Sequence, residues 1–441
     1  MAIMHSSDYT IRDMLKFYLP LALQFATMNF SFPLAGMVAS AGPGGVSDYS
    51  GLIQAQNIMN FINVIGFGMM VTGMVLGKTQ EGLRNFQSVN RILMLVVIVV
   101  QALISLTPLS HLLMGNILGI PPSIEKPTSL MLALLLPFNA FVFTRNRSMV
   151  VLYLRRESGK ASLAAVIRVC LAFSLSLAFR MTGLTGPIWA VVCVLLPIGI
   201  ETGLIYLFAR KYFHHLSSDP HNVPSRKEIF LFNIPLSAGG LFLNLSNNML
   251  VAFIARAPNP EIMLPIYYLC LSLVAPMTFA TNQLRTLVLT FPPRDINDKR
   301  TLRFAAVAGL IFGLLPLIFI IPGPAEFYYI RSQNLDPSFL PDVRMTAILF
   351  AFLPLCTALR FHAEGTAAHM KSPIITLTGQ AVFLGMATTA ASVALALGVQ
   401  GNLIGPICTI VANICAGLMI NFSLDWSRRQ TVRLPMGSTD T

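Results

Sequence analysis

The sequence predicts an all-α polytopic membrane protein in which twelve transmembrane helices form two homologous lobes of six helices each. Of its 441 residues, 55% are hydrophobic and 11% are charged, and the mean hydropathy is +0.69. These values lie far from those of a soluble globular domain. The other two observations are twelve apolar segments of spanning length and an internal repeat that relates the two halves of the chain.

The apolar segments are separated by short connections rich in Gly, Pro and polar residues. In the first half the predicted spans lie near 14–40, 50–76, 91–114, 128–154, 161–180 and 186–209. In the second half they lie near 229–255, 263–291, 302–322, 343–369, 373–397 and 402–424. The predicted domains are an N-lobe at 1–210, a cytoplasmic linker at 211–228, a C-lobe at 229–424 and a cytoplasmic tail at 425–441.

The repeat has an offset of 215 residues and begins with the first apolar segment, residues 19–38. The matching positions include Pro20 and Pro235, Leu21 and Leu236, Asn29 and Asn244, and Ser31 and Ser246. Hydrocarbon would penalise the Asn and Ser side chains unless they face protein or water. We therefore expect these two segments to be the first helices of two lobes that face a shared cavity.

The distribution of basic residues predicts the orientation. Twenty of the thirty Lys and Arg residues fall in the termini and in alternate loops, and the opposite loops hold only Lys126, Arg180, Arg256 and Arg331. The positive-inside rule then places both termini in the cytoplasm, and we expect a bacterial inner membrane protein. Because topology accounts for most of the charge of +12, we expect no nucleic-acid partner; the lipid bilayer is the predicted surroundings.

Nothing in the sequence favours an enzyme or a metal protein. All six cysteines lie in apolar segments without a Cys-x-x-Cys motif, and His214 and His215 have no zinc-motif spacing. A membrane enzyme would need a nucleophile, a metal cluster or paired carboxylates at the membrane surface. We therefore expect no cofactor and no metal, and a monomer.

The six remaining arginines lie within or at the edge of the apolar segments. Arg145 and Arg360 are related by the 215-residue offset, about two and a half turns from the inner ends of the fourth and tenth segments. Across a pseudo-two-fold axis they could converge on one ligand. Arg285 in the eighth segment has comparable depth. Arg168 and Glu201 share one depth on adjacent helices, which favours a structural pair over a substrate role, and Arg344 can snorkel to the surface.

Whether these cations are neutralised decides their role. Glu364, four residues after Arg360, could pair with it within the helix. Arg145, Arg147 and Arg285, in contrast, have no acidic residue on their own helix. Uncompensated charge in a bilayer is costly unless it faces water or a counter-ion. The sequence therefore favours a water-filled, arginine-lined central cavity that admits a small anion.

Further polar positions complete the predicted site. Arg147 and His362 are also related by the offset, but each lies about 200° around its helix from the nearby Arg. Gln56, Asn60 and Asn63 form a stripe on the second segment, which could line a cavity or join helices by hydrogen bonds. The predicted substrate-binding residues are Arg145, Arg147, Arg285, Arg360, Asn29, Asn60, Asn244, His362 and Glu364.

The chain resembles the MATE-type fold of the multidrug/oligosaccharidyl-lipid/polysaccharide (MOP) exporter superfamily. The likeness rests on the six-plus-six repeat, on Pro-Leu near the start of segments one and seven, and on Gly-Pro-Ile at 186–188 and 405–407. Within the superfamily it is most similar to the progressive ankylosis (ANK) proteins. The matching pieces are LKFYLPLALQFATMNF at 15–30, PMTFATNQLRTLVLTFPP at 276–293 and LRFHAEGTAAHMKSP at 359–373.

The resemblance implies a secondary transporter that exports its cargo by alternating access, with H+ or Na+ as a coupling ion. ANK-like proteins are associated with anions such as pyrophosphate, nucleotides or citrate, and Arg285 and Arg360 match basic positions of that group. Asn29 stands where an acidic residue would be expected, which weakens a cation-exporting function. The alternatives are a flippase for a lipid-linked saccharide or a phospholipid, and an H+- or Na+-coupled multidrug exporter.

Overall fold

A computed structural model describes residues 9–27, 31–117, 122–216, 223–293, 298–332 and 335–433. Within these ranges the protein is helical, without a β-strand. Twelve helical spans are long and apolar enough to cross a membrane. They match the twelve predicted segments in order, so the predicted fold class is confirmed.

The contacts divide the chain into two compact units, Met1–Ser237 and Ala238–Thr441. The α-helices that begin in the first unit are α1 Ile11–Thr27, α2 Ser31–Ala39, α3 Val46–Ile62, α4 Met69–Leu76, α5 Gln80–Leu106, α6 Leu109–His111, α7 Pro122–Leu134, α8 Leu136–Leu154, α9 Ser158–Thr182, α10 Pro187–Ala209 and α11 Arg226–Ile254. Helix α10 packs against α2, α8 and α9, and so lies at the centre of that unit.

The boundary between the units falls within α11. The helices of the second unit are α12 Pro260–Asn282, α13 Leu284–Thr290, α14 Arg300–Leu314, α15 Leu340–Ala351, α16 Leu353–His369, α17 Pro373–Ala396 and α18 Gly401–Arg433. Helix α16 packs against α12, α13, α14 and α18. The predicted lobe and linker bounds remain a prediction.

The third span differs most from its predicted bounds of 91–114. Helix α5 starts at Gln80, where the hydroxyl of Thr79 accepts a hydrogen bond from the backbone N–H of Gly82 over 3.0 Å. This N-cap satisfies one of the free donors of the first turn. The charged residues between the cap and the apolar run lower the local hydropathy, so the apolar pattern alone began the helix eleven residues late.

Two spans are interrupted in mid-course. The second span changes to a 3-10 turn at Asn63–Gly66 before α4 begins at Met69. The glycines there are close-packing positions, because a Cβ on Gly66 would lie 2.4 Å from the Phe143 ring. The eighth span is interrupted at Gln283, between α12 and α13.

The repeat is visible in the way α8 and α16 end. The backbone N–H of Glu157 donates to the carbonyl of Leu152, and the equivalent bond joins Ser372 to Ala367. These are Schellman caps, in which the residue after the C-cap adopts a left-handed conformation. That residue is Arg156 in one unit (φ 60°) and Lys371 in the other (φ 56°). The duplicated halves therefore share an unusual backbone feature as well as a sequence pattern.

Because a side chain disfavours the left-handed conformation, Arg156→Gly and Lys371→Gly should each raise the stability by about 0.5–1 kcal/mol. The basic side chain at a helix C-terminus offsets part of this gain. The measurement is the unfolding temperature of the purified protein in detergent. Met370→Gly is the control: Met370 has φ −75°, so this variant should lower the unfolding temperature. Equal destabilisation by all three variants would contradict the strain argument.

Long apolar side chains are exposed along one face of α5 and one face of α14. On α5 they are Ile92, Leu95, Val99, Leu103 and Leu106, and on α14 they are Val307, Leu310, Ile311 and Leu314. Exposed apolar faces of this extent mark contact with lipid or a partner protein. In a chain with twelve spans they fit contact with lipid.

Candidate functional site

Arg145 of α8, Arg168 of α9 and Glu201 of α10 form a buried cluster in the N-terminal unit. Nη1 of Arg145 donates to Oε2 of Glu201 over 2.7 Å, and Nη1 of Arg168 donates to the same oxygen over 3.4 Å. The Glu201 side chain is 0% exposed, and neither arginine side chain exceeds 7%. The predicted Arg168–Glu201 pair is confirmed, and Arg145 joins it.

Close packing between α8 and α10 places Arg145 against Glu201. A Cβ on Gly199 would lie 3.3 Å from the ring of Phe141, and the hydroxyl of Thr202 donates to the Phe141 carbonyl over 3.4 Å. Phe141 is one helical turn before Arg145, and Thr202 follows Glu201 directly. This contact therefore brings the turn that carries the cation next to the turn that carries the carboxylate.

Arg285 of α13 and Arg360 and Glu364 of α16 form the corresponding cluster in the C-terminal unit. Nη1 of Arg285 lies 3.6 Å from Oε2 of Glu364, and Nε of Arg360 lies 3.4 Å from Oε1. Glu364 is 0% exposed. The ring of Phe361 contacts both guanidinium groups, at 4.5 Å from Arg360 and 5.6 Å from Arg285, distances typical of cation–π interactions.

The break in the eighth span and a glycine contact position this second cluster. Arg285 lies in the first turn of α13, directly after the interruption at Gln283. A Cβ on Gly365 would lie 3.0 Å from the backbone of Arg285, so α13 and α16 approach each other closely at this point. Because Glu364 precedes Gly365, this approach brings its carboxylate within reach of Arg285.

Only one residue of each cluster obeys the repeat. Arg145 and Arg360 are related by 215 residues, but the positions equivalent to Arg168 and Glu201 hold Phe383 and Ala416. The ring of Phe383 lies 4.6 Å from the Arg360 guanidinium. The two units therefore surround the shared arginine with the same charges taken from different helices.

Each cluster contains two guanidinium groups and one carboxylate. Arg stays protonated under all ordinary conditions, so each cluster carries a formal charge of +1 when its Glu is ionised. Within the described part of the chain, Nε and Nη2 of Arg168 and Nη1 of Arg360 donate to no acceptor. Both clusters thus combine excess positive charge with hydrogen-bond donors that remain available.

The expectation that Arg145, Arg147 and Arg285 lack compensation was wrong for two of them. Arg145 pairs with Glu201 and Arg285 with Glu364, because acidic partners on neighbouring helices lie within reach. The possible pairing of Arg360 with Glu364 is confirmed. The Arg147 guanidinium lies 4.4 Å from the ring of Phe213 and belongs to neither cluster.

The other predicted residues lie in different settings. Nε2 of His362 is hydrogen-bonded to the Thr301 hydroxyl over 3.0 Å, which occupies it in a contact between α16 and α14. Asn60 and Asn244 are exposed. Asn29 lies outside the described residues. The clusters therefore include Arg145, Arg285, Arg360 and Glu364 of the predicted set.

Sequence reasoning missed two buried polar partners of α8. The hydroxyl of Tyr153 donates to Oε1 of Gln24 over 3.0 Å, and Nδ2 of Asn139 donates to Oε1 of Gln101 over 2.6 Å. The depth of Glu201, which matches that of Arg145 as well as Arg168, was an available signal for the third member of the first cluster. Hydrophobic patterning carries no signal for the two amide contacts.

Comparison with solved structures identifies the architecture. A MOP superfamily transporter from Pyrococcus furiosus superposes with a TM-score of 0.70 at 14% identity, covering 96% of each chain. The chain has the MATE transporter fold. The eukaryotic MATE transporter AtDTX14 gives a TM-score of 0.72 at 14% identity over 96% of this chain and 97% of that one. A mutant of the Vibrio cholerae MATE transporter VcmN gives 0.71 at 16% identity, over 95% and 97%.

The sequence itself matches no protein-family model and no curated protein. At 14–17% identity the MATE neighbours establish the fold and not the cargo. The MATE-type part of the resemblance is confirmed at the level of structure. The ANK likeness remains a prediction from the sequence.

Proposed function

We propose that this protein is a MATE-like secondary transporter that exports a small organic or phosphorylated anion by alternating access. The observation that carries the proposal is the presence, in each unit, of a buried cluster with two arginines and one glutamate. A formal excess of one positive charge inside a membrane span favours a counter-ion. An anionic cargo supplies that charge when it binds and removes it when it leaves.

The geometry of the clusters suits carboxylate and phosphate groups. Guanidinium groups bind both in paired hydrogen bonds, and these are stronger in a site with little water. Arg168 and Arg360 retain donors that no protein acceptor uses. Arg145, Arg285 and Arg360 would hold the cargo, with Glu201 and Glu364 keeping the guanidinium groups oriented between transport cycles.

A cationic cargo is less well served by the same spans. The buried carboxylates among the described residues are Asp48, Glu201 and Glu364. Asp48 accepts a hydrogen bond from the backbone N–H of Gly44 over 3.2 Å, and the other two each face two arginines. One solved neighbour is described as having a binding pocket of reverse polarity that suggests a different function, so this fold is not tied to one charge of cargo.

A thermal-shift screen of the purified protein tests the charge of the cargo. Pyrophosphate, citrate and nucleotides form one arm, cationic dyes the second and lipid-linked pyrophosphates the third. A bound ligand at 100 times its Kd stabilises the folded state by about 2.7 kcal/mol. We expect the unfolding temperature to rise only with members of the first arm.

The other outcomes of the screen are informative. Stabilisation by cationic dyes alone would contradict the proposal in favour of a multidrug exporter. Stabilisation by lipid-linked pyrophosphates alone would point to a flippase instead. Uptake of the best anion into proteoliposomes with an imposed H+ or Na+ gradient then identifies the coupling ion.

A further inference from the structure

A basic groove lies between the start of α5 and the start of α11, within the N-terminal unit. Its volume is about 400 Å³, and three arginines line it: Arg84, Arg91 and Arg226. All three side chains are exposed, and no carboxylate is among the residues that line the groove. The groove shares no residue with the two buried clusters.

The walls of the groove are joined by a hydrogen bond. Nδ2 of Asn85, on the α5 side, donates to the carbonyl of Pro224 over 2.9 Å, just before α11 begins at Arg226. The contact is made between side chain and backbone and does not involve the arginines. It therefore fixes the separation of Arg84 and Arg226 independently of any ligand.

The same face of α5 turns from basic to apolar along the helix. Arg84 and Arg91 are followed at helical spacing by Ile92 and Leu95, which line the groove and are 54% and 57% exposed. The exposed apolar face continues from there toward Leu106. Eleven residues separate Arg84 from Leu95, about 16 Å along the helix axis.

We propose that this groove binds the headgroup phosphate of an anionic phospholipid in the leaflet that the positive-inside count predicts to be cytoplasmic. The arginines match the phosphate, and the exposed side chains of Ile92 and Leu95 match the start of the acyl chains. A free phosphate would use the arginines but gain nothing from the adjoining apolar face. The arrangement therefore favours a lipid over a soluble anion.

The test measures lipid binding to the purified full-length protein by native mass spectrometry and thermal shift. The probes are phosphatidylglycerol, phosphatidylcholine and inorganic phosphate. The wild-type protein should bind phosphatidylglycerol at least about tenfold more tightly than phosphatidylcholine. Inorganic phosphate should not reproduce the stabilisation by phosphatidylglycerol.

Variants separate the groove from general charge. An arginine near an anionic surface is worth about fivefold in affinity, so Arg91→Gln should lose about fivefold, and the triple variant R84Q/R91Q/R226Q about 100-fold. The matched control, R180Q/R256Q/R331Q, removes the same charge from exposed arginines in the opposite loops and should change binding less than about twofold.

Three results would overturn the assignment. Equal binding of phosphatidylcholine and phosphatidylglycerol would mean that the groove does not recognise the headgroup charge. Equal losses in the groove and control triple variants would mean that net charge is responsible. Stabilisation by inorganic phosphate as large as that by phosphatidylglycerol would identify a soluble-anion site instead.

Discussion

Anion uptake into proteoliposomes should fall about 10- to 100-fold when Arg360 is replaced by Gln. A hydrogen bond to a charged group contributes about 1.5–3 kcal/mol, which corresponds to that range in binding or rate. Arg360 is the repeat-related arginine of the C-terminal unit, is 3% exposed and has a free donor in Nη1. Arg145→Gln, at the equivalent position, should have a similar effect.

Stability must be measured on the same samples. Removing Arg360 leaves Arg285 and Glu364 as a neutral pair, so the charge balance of the cluster improves. The loss of contacts with the rings of Phe361 and Phe383 should cost no more than about 2 kcal/mol. The variant should therefore be folded but inactive.

The matched control is Arg303→Gln, an exposed arginine on α14. It should retain uptake within about twofold, because an exposed charge is screened by solvent. If Arg360→Gln and Arg145→Gln transported anions as well as this control, the arginines would have only a structural role. The proposal of an anionic cargo would then lose its main support.

Replacement of Glu364 by Gln should have the opposite signature, with a large loss of stability. Breaking a buried ion pair by removing one partner costs about 3–5 kcal/mol, because the remaining charge stays buried without compensation. Here two guanidinium groups would be left facing each other across a neutral side chain. The unfolding temperature in detergent should fall accordingly.

Added anion should restore part of that stability. In Glu364→Gln the formal charge of the cluster rises from +1 to +2, so phosphate or citrate should stabilise the variant more than the wild-type protein. Glu228→Gln, at an exposed position in the first turn of α11, is the control and should change stability by less than about 0.5 kcal/mol. An unfolding temperature that falls but does not respond to anions would contradict access of the cargo to this cluster.

Much of the fold follows from patterns that are local in the chain. Each span needs only an uninterrupted apolar run, and the runs at 128–154 and 343–369 end where the structure ends its fourth and tenth spans. The bound at 91 was wrong because Arg84 and Arg91 interrupt the hydropathy of a helix that starts at Gln80. Hydropathy reports the surroundings of a residue and is blind to helix that extends beyond the apolar run.

The candidate site was predicted in part for the same reason. The offset of 215 residues identified Arg145 and Arg360, because duplication leaves a record in the order of residues. The pairing of Arg168 with Glu201 followed from equal depth. Depth did not show that Arg145 shares the same carboxylate, since that depends on how α8, α9 and α10 are rotated about their axes.

The sequence alone thus determined a duplicated membrane protein with twelve spans and one arginine at an equivalent depth in each half. The tertiary structure decided that Glu201 and Glu364 each compensate two arginines, so that each cluster retains one positive charge in place of several unpaired ones. The physical reason is that spanning a membrane depends on the sum of side-chain transfer energies along a segment. An ion pair depends on the contact of single atoms from helices that are far apart in the chain.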